Sequence, residues 1–416
     1  MILAILSLTA PAAFAAVGDL AILQGMTTAT STQMMALVGI KQQVEYQLLP
    51  AGTGPVRSIP AHGVRRITHG DSEWAVDRFG FEGLESGRRY LLRAVSAGQV
   101  LDERELGTLD LERDSVRIGL ISCTSRLRMK IQDSMWKSVS DAKADLLFFM
   151  GDNVYASILS PVTPDEMWFQ YVQAWQKYRF YHERKLTPVL ATWDDHDFGQ
   201  NDGDSVSYKY AAEAREMFNA YFPQEEVGGA LERGPGVSSL FRAFGQRFFL
   251  MDDRYFRVDG KTMWGAEQEK WLNDRIGADA SPAWILNGNQ IFGRYNKGEA
   301  YEKKFEPSFV PFVELIRSIR APVLFVSGDV HYSEILKLPA DILGYTAYEI
   351  TSSSLFSVRK PWGGLPDNPR RERGVFNDNF ILAEVSGTHS ASPKLHLTSY
   401  GQPGQKFFEY DLTLSR

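Results

Sequence analysis

One stretch of the chain indicates its fold class: Leu146-Leu-Phe-Phe-Met-Gly-Asp-Asn-Val-Tyr155. Its short, unbroken apolar run is typical of a strand buried on both faces, and it stops at Gly151-Asp152. Three other apolar runs end in a similar way: Val116 to Ile121 leads into Ser122-Cys123, Val189 to Thr192 into Trp193-Asp-Asp-His-Asp197, and Val323 to Ser327 into Gly328-Asp-Val-His331. Ligands of open α/β sheets bind beyond the carboxyl ends of the strands, so the four ends are expected to converge on one cluster of metal ions.

Length and charge exclude some classes of protein. The chain has 416 residues, which favours more than one domain, and 44% of them are hydrophobic, which is enough for a packed core. The net charge of −6 argues against stable nucleic-acid binding, which needs clustered positive charge. A small phosphorylated substrate remains compatible, because bound cations reverse the local field.

Residues 1–18 are predicted to be a signal peptide. An apolar stretch is followed by small residues, and Ala13-Phe14-Ala15 matches an A-x-A cleavage site. The alternative is a buried N-terminal strand. The pattern favours a periplasmic or secreted protein, and no segment has the length and apolarity of a transmembrane helix.

The single cysteine, Cys123, has no partner for a disulfide, although an exported protein would favour one. Taken alone, Cys123 is best interpreted as a small buried hydrophobic residue. Its position at a strand end that carries ligands favours a metal ligand instead.

Two structural regions are expected after the signal peptide. Residues 19–112 contain short strand-like runs between turn signals, which predicts a β-sandwich of the fibronectin or immunoglobulin class. Residues 113–416 alternate buried strands with helical segments, which predicts an α/β catalytic domain. Within it, Thr163-Pro-Asp-Glu166 has the capping residue, proline and early acids of a helix start.

Gly151-Asp152-Asn153-Val154-Tyr155 carries two candidate ligands. A carboxylate at a strand end, Asp152, can bridge two cations, and Tyr155 can return as a phenolate ligand to a hard trivalent ion such as iron. The alternative is an ordinary turn with a capping Asp152 and a packed Tyr155.

Trp193-Asp-Asp-His-Asp197 places three acids and a histidine in four consecutive residues, which would repel one another unless cations neutralise them. Asp195 suits a metal ligand, and His196, held by a carboxylate, suits the acid that protonates a leaving alkoxide. Asn201 follows closely and could add an amide ligand. A solvated acidic turn is the alternative.

Gly328-Asp-Val-His331 places Asp329 and His331 on one side of an extended strand end. A carboxylate with an imidazole suits a site for a transition metal and calcium, although a turn Asp329 beside a packed His331 has the same sequence. Arg126 follows Cys123 and could clamp phosphate oxygens through paired hydrogen bonds, or it could belong to a solvated basic loop.

Together, these motifs resemble the alkaline phosphatase D (PhoD-like) family of the calcineurin-like metallophosphoesterase superfamily. The resemblance covers nearly all of the chain after residue 18 and implies a catalytic domain of paired β-sheets flanked by helices. The matching signatures are Ser122-Cys123, Gly151-Asp152 with Tyr155, Trp193-Asp-Asp-His196, Asp252 to Tyr255, Gly328-Asp-Val-His331 and Glu349-Ile-Thr-Ser-Ser353.

The resemblance implies an iron ion held by Cys123, Asp152 and Tyr155, and one or more calcium ions held by Asp152, Asp195, Asp329 and Asn201, with His331 able to serve either metal. The expected function is that of an exported, metal-dependent phosphoesterase that hydrolyses phosphate esters with a metal-activated hydroxide, with His196 and Arg126 as catalytic residues. The alternatives are a phosphodiesterase or phospholipase acting on envelope polymers, and a surface-binding protein that has lost catalysis.

Overall fold

The computed structural model describes residues 20–51, 58–295, 298–358 and 364–416. The expected signal peptide, residues 1–18, lies outside the described residues and stays a prediction. No helix within the described ranges is both long enough and apolar enough to cross a membrane.

The N-terminal part of the chain forms two four-stranded antiparallel sheets, in the orders β1-β2-β6-β5 and β4-β3-β7-β8. Their strands are β1 (Ala21–Thr27), β2 (Ser31–Gly39), β3 (Glu45–Pro50), β4 (Ile59–Pro60), β5 (His62–Thr68), β6 (Trp74–Glu82), β7 (Arg89–Ser96) and β8 (Gln99–Gly107). Buried side chains of both sheets form a shared core, which makes this part the predicted β-sandwich. The boundary at residues 112 and 113 stays a prediction.

Three strands of the first sheet, β1, β2 and β6, are buried on both faces, whereas the edge strand β5 is largely exposed. In β2, Met34 points into the core of the sandwich, whereas Met35 belongs to the core formed with the helices of the C-terminal part. Trp175 contacts the Met35 sulfur through its indole nitrogen at 3.0 Å. The sandwich is thus packed directly against the rest of the molecule.

The C-terminal part is built on two larger sheets, in the orders β11-β10-β9-β20-β21-β22 and β12-β13-β14-β15-β16-β18-β17-β19. The strands of the first are β9 (Ser115–Ile121), β10 (Leu146–Met150), β11 (Val189–Thr192), β20 (Phe380–Ser386), β21 (Lys394–Tyr400) and β22 (Lys406–Thr413). Those of the second are β12 (Leu231–Arg233), β13 (Ser239–Ala243), β14 (Gln246–Leu250), β15 (Ala283–Leu286), β16 (Val323–Ser327), β17 (Ser333–Leu338), β18 (Ala347–Thr351) and β19 (Arg371–Val375).

The two large sheets pack face to face, and helices cover their outer faces. Phe148 lies in the core between the sheets with Trp284, whereas the next residue, Phe149, packs against helices on the other side. Burial on both faces explains why the central parallel strands are continuous apolar runs. This architecture confirms the predicted α/β fold class of paired sheets flanked by helices, with an added β-sandwich.

The helices lie mainly between the strands. They are α1 (Met129–Asp141), α2 (Pro164–Lys177), α3 (Asp195–Phe198), α4 (Ala211–Tyr221), α5 (Gly265–Ile276), α6 (Tyr301–Lys304), α7 (Glu306–Ser318) and α8 (Ala340–Leu343), with 3₁₀ turns at Arg126–Arg128 and Arg179–His182. The predicted start of α2 is confirmed: Thr163 accepts a hydrogen bond from the Glu166 amide, and its own amide donates to the Glu166 carboxylate.

Candidate metal centre

The predicted strand ends meet at one edge of the paired sheets. β9, β10 and β11 are parallel neighbours, with Phe149 opposite Ile121 and Met150 opposite Thr192. Their carboxyl ends therefore lie side by side, and Cys123, Asp152 and Asp195 follow them directly. β16, of the other sheet, brings Asp329 and His331 to the same place.

Two glycines allow this close approach. Gly151 has a φ of +80°, and a Cβ atom there would lie 2.5 Å from the Cβ atom of Asp194. A Cβ atom on Gly328 would lie 2.7 Å from the Met150 carbonyl oxygen and from Ser122. A larger residue at either position would push the strand ends apart, so the two glycines are a steric requirement.

Four candidate ligands have a left-handed backbone: φ is 58° at Cys123, 54° at Asp152, 63° at Asp329 and 60° at His331. Residues other than glycine adopt this conformation at a cost of roughly 1–2 kcal/mol each. Such strain gathers at functional sites, where the surrounding structure holds it in place. The coincidence of four such residues at three strand ends supports a shared role for them.

The ligand atoms of Cys123, Asp152 and His331 lie within 4.8 Å of one another, and all three residues are buried. The hydroxyl of Tyr155 is 3.0 Å from Nε2 of His331 and 2.8 Å from the hydroxyl of Ser357. We call Cys123, Asp152, Tyr155 and His331 the Cys123 cluster. It combines a thiol, a carboxylate, a phenol and an imidazole, a donor set that suits a transition metal.

The ring orientation of His331 is fixed by the main chain. Its Nδ1 lies 2.5 Å from the carbonyl oxygen of Val358, which can only accept a hydrogen bond. Nδ1 therefore carries the proton, and Nε2 presents its lone pair to the Cys123 cluster. A carbonyl partner of this kind is common behind histidines that bind metals.

Asp152 also belongs to a second group, with Asp195 and His196, whose ligand atoms again lie within 4.8 Å of one another. Asp195 accepts a hydrogen bond of 2.8 Å from the Asp202 amide. Because Asp152 is common to both groups, its carboxylate is placed where it could bridge two cations.

His196 is held differently from the expectation. Its ring stacks on Tyr155 with centroids 4.1 Å apart, and its buried Nδ1 makes no hydrogen bond within the described part of the chain. A carboxylate partner was expected from the neighbouring acids, but an aromatic ring orients this histidine. Sequence reasoning missed this contact because Tyr155 was considered as a ligand or as a packed side chain of a turn, and not as a partner of His196.

The remaining predicted residues lie around the two groups. Asp329 is half-buried, and its charge contributes to the raised pKa of the Cys123 thiol. Asn201 is exposed on the turn next to Asp202. Arg126 is exposed, and its Nε donates to the Tyr155 carbonyl at 3.3 Å, whereas Arg128 is paired with Asp378 at 2.8 Å.

Electrostatics supports cation binding at the Cys123 cluster. Burial raises the pKa of the Cys123 thiol well above its usual value, and the nearby Asp152 raises it further. Burial and Asp152 act in the same way on the pKa of the Tyr155 phenol. A bound cation reverses this effect and favours thiolate and phenolate, so these residues fit a metal ion.

A third group of charges lies beside the site. The fully buried Arg254 donates from Nε to Oδ1 of Asp194 at 2.6 Å, and its Nη1 is 3.0 Å from Oε2 of Glu299. Glu299 is also paired with Arg257. We call Asp194, Arg254, Arg257 and Glu299 the Arg254 network.

Arg254 and Glu299 are the members of the Arg254 network whose charged forms are favoured most clearly. Burial opposes the charge of Arg254, but Asp194 and Glu299 outweigh it and raise the pKa of the guanidinium. Burial would also raise the pKa of Glu299, yet Arg254 and Arg257 lower it to about 2. Sequence reasoning named Arg254 only within the matching signature Asp252 to Tyr255, and it missed Glu299, which follows no strand directly.

Asn289 contacts the Arg254 network through Asp194, the residue that precedes Asp195. Its Nδ2 donates to Asp194 at 2.8 Å, and its buried Oδ1 has no hydrogen-bond partner among the described residues. An unpartnered buried oxygen costs roughly 1–3 kcal/mol, and a cation would satisfy it. Asn289 is therefore a further candidate for a neutral oxygen ligand.

Comparison with known proteins gives two informative similarities. Alkaline phosphatase D of Bacillus subtilis (strain 168) is 23% identical over 276 residues, which cover 54% of this chain and 46% of that protein. The chain thus spans about half the length of this curated relative. A solved structure of PhoD superposes with a TM-score of 0.70 and 15% identity, covering 96% of this chain and 92% of that one. No protein-family model matches the chain.

Proposed function

The chain is PhoD-like in sequence and fold, and from this premise we propose that it is an exported, metal-dependent phosphoesterase. The observation that carries the proposal is the position of Asp152. Its carboxylate is shared by a group with Cys123 and His331 and by a group with Asp195 and His196. A shared carboxylate between two ligand groups is the arrangement that two-metal hydrolases require.

The two groups differ in donor chemistry. Cys123, Asp152, Tyr155 and His331 would hold the softer or trivalent ion, for which iron is the proposal. Asp152, Asp195, Asp329 and Asn201 would hold calcium, which prefers oxygen ligands. When bound, these cations supply Lewis-acid stabilisation of the phosphoryl oxygens and a more acidic water.

His196 is proposed to donate the proton to the leaving alkoxide. Its ring is fixed against Tyr155, and its amide is 3.4 Å from Oδ1 of Asp152, so the imidazole lies beside the proposed reaction centre. Histidine is suited to this role because it exchanges protons near neutral pH.

Arg126 is proposed to bind a phosphate oxygen. Its guanidinium is exposed, it contacts the main chain of Tyr155, and it forms no ion pair with a described acid. An arginine in this position can donate two hydrogen bonds to a phosphate.

The proposal of export rests on the N-terminal sequence pattern. We assign residues 1–18 to a signal peptide and the mature protein to the periplasm or the extracellular space, with residues 19–112 and 113–416 as its two domains. Cys123 is fully buried in the Cys123 cluster, where metal binding would protect a lone thiol from oxidation.

The test combines elemental analysis of the purified protein with turnover of p-nitrophenyl phosphate and bis-p-nitrophenyl phosphate, before and after chelation. We expect bound iron and calcium, and turnover that is lost on chelation and restored by the two metals. The ratio of the two rates shows whether monoesters or diesters are preferred. A folded protein that remains inactive with both metals would overturn the proposal in favour of a surface-binding protein.

A further inference from the structure

Two cavities adjoin on the surface of α2. The first, about 290 Å³, is lined by Arg126, Tyr155 and Lys177, and it adjoins the candidate metal centre; we call it the basic cavity. The second, about 460 Å³, lies between α2 and the turn 69–74 of the sandwich, and we call it the aromatic cavity. Phe169 and Gln173, one helical turn apart, line both cavities and form their common border.

Phe169 is unusual among the aromatic residues of α2. Trp168, Tyr171 and Trp175 are 4%, 0% and 0% exposed, respectively, because they pack in the core. Phe169 is 56% exposed, although it belongs to the same helix. An exposed aromatic side chain between two cavities is a feature of ligand-binding surfaces rather than of a helix that only packs.

The aromatic cavity offers flat rings and planar polar groups. The ring of His69 stacks on Trp168 with centroids 5.5 Å apart, and its Nε2 lies 2.7 Å from the exposed carboxylate of Asp165. The half-buried amide of Gln173, which also belongs to α2, lines the same cavity. Aromatic faces pack against the C–H face of a sugar ring, while carboxylate and amide groups bind its hydroxyls.

The charges of the two cavities point to different parts of one ligand. The aromatic cavity has three acids, Asp71, Glu73 and Asp165, so a neutral group with hydroxyl donors fits it better than an anion. The basic cavity has Arg126 and Lys177, neither of which forms an ion pair with a described acid, and it suits an anion. A sugar that carries a phosphate ester matches both cavities, because it has a neutral part rich in hydroxyls and an anionic end.

We infer that the aromatic cavity binds the sugar part of a sugar-bearing phosphate ester, whose phosphate end lies across the basic cavity toward the candidate metal centre. The phosphate-ester part of this inference rests on the proposed function. The sugar part rests on the exposed ring of Phe169 in the aromatic cavity. The aromatic cavity itself requires no metal, so its occupancy can be measured independently of turnover.

The first experiment is titration of the full chain with neutral disaccharides, cellobiose and maltose, followed by NMR. At least one disaccharide is expected to bind, with an affinity about tenfold weaker in Phe169→Ala, since that variant removes a stacking surface. Asp165→Asn, at a side chain that is 86% exposed, is expected to weaken binding without affecting folding. Val310→Ala, an exposed apolar residue on α7, is the matched control and should bind like the wild type.

The second experiment measures kcat/KM for glucose 1-phosphate and for p-nitrophenyl phosphate. The ratio of the two constants is expected to fall at least fivefold in Phe169→Ala and to stay constant in Val310→Ala. Disaccharide binding that depends on Phe169, in a protein that hydrolyses no phosphate ester, would support the sugar site and overturn the proposed function. Hydrolysis without disaccharide binding, or equal binding by wild type and Phe169→Ala, would overturn the sugar site alone.

Discussion

The Cys123 cluster and the Arg254 network are neighbouring regions that gather buried acidic groups in opposite ways. In the Arg254 network, the carboxylates of Asp194 and Glu299 are matched by the guanidinium of Arg254. The Cys123 cluster brings a carboxylate, a thiol, a phenol and an imidazole together, none of which carries a permanent positive charge. The protein supplies its own cationic groups in the Arg254 network, whereas the Cys123 cluster is the region for which we propose metal ions.

The largest expected effect comes from removing the shared carboxylate. Asp152→Ala removes a proposed ligand of both metal ions, so we expect turnover of p-nitrophenyl phosphate to fall at least about 1,000-fold, together with loss of bound metal. The measurements are steady-state kinetics and elemental analysis.

Asp274→Ala is the matched control. Among the described residues, this exposed acid pairs only with Lys270 on the same helix, at 2.6 Å, so the variant should retain turnover within about twofold. Wild-type activity and metal content in Asp152→Ala would disprove the role of Asp152 as a bridge.

In the Arg254 network, the expected effect of a substitution is a loss of stability. Arg254→Met leaves Asp194 and Glu299 buried without their shared partner, and we expect the free energy of unfolding to fall by about 3–5 kcal/mol in urea denaturation. Lys270→Met removes an exposed pair with Asp274, 2.6 Å apart, and should cost less than about 1 kcal/mol. Equal losses in the two variants would show that Arg254 does not balance buried charge.

These two regions also differ in how far the sequence predicts them. Cys123, Asp152 and His331 follow apolar strands, and the carboxyl ends of parallel strands meet at one edge, so local motifs were enough to bring them together. Glu299 reaches Arg254 from the segment between β15 and α6, and only the tertiary fold makes this pairing. No local pattern marks a residue of this kind.

The same distinction applies to packing. The capping box at Thr163 is local and was predicted, whereas the stack of His196 on Tyr155 joins two strand ends and was missed. Likewise, the alternation of Met34 and Met35 between two cores depends on α2 and α4 covering the sandwich. Local chemistry identified candidate residues, and long-range packing determined which of them touch.

A finer test separates the two proposed metals. Cys123→Ser replaces an anionic thiolate ligand with a neutral hydroxyl, so affinity for the proposed iron ion should fall about 100-fold, while the calcium content of the same sample stays constant. Equilibrium dialysis followed by elemental analysis measures both metals together, and calcium serves as the internal control. A parallel loss of both metals would mean that the two ligand groups form one indivisible site.

The smallest effect is a pH dependence that belongs to the Arg254 network. Arg254 and Arg257 lower the pKa of Glu299 to about 2, below the ordinary glutamate value, so ionised Glu299 stabilises the fold at neutral pH. This contribution is complete above about pH 4.5 and is lost as the pH falls toward 2; between pH 5 and pH 3 it amounts to about 2 kcal/mol. Urea denaturation at both pH values should show a smaller decline for Glu299→Gln than for the wild type, whereas Glu314→Gln, at an exposed glutamate, should follow the wild type. If Glu299→Gln and the wild type declined equally, the buried guanidiniums would not be holding Glu299 ionised, and the contrast with the Cys123 cluster would fail.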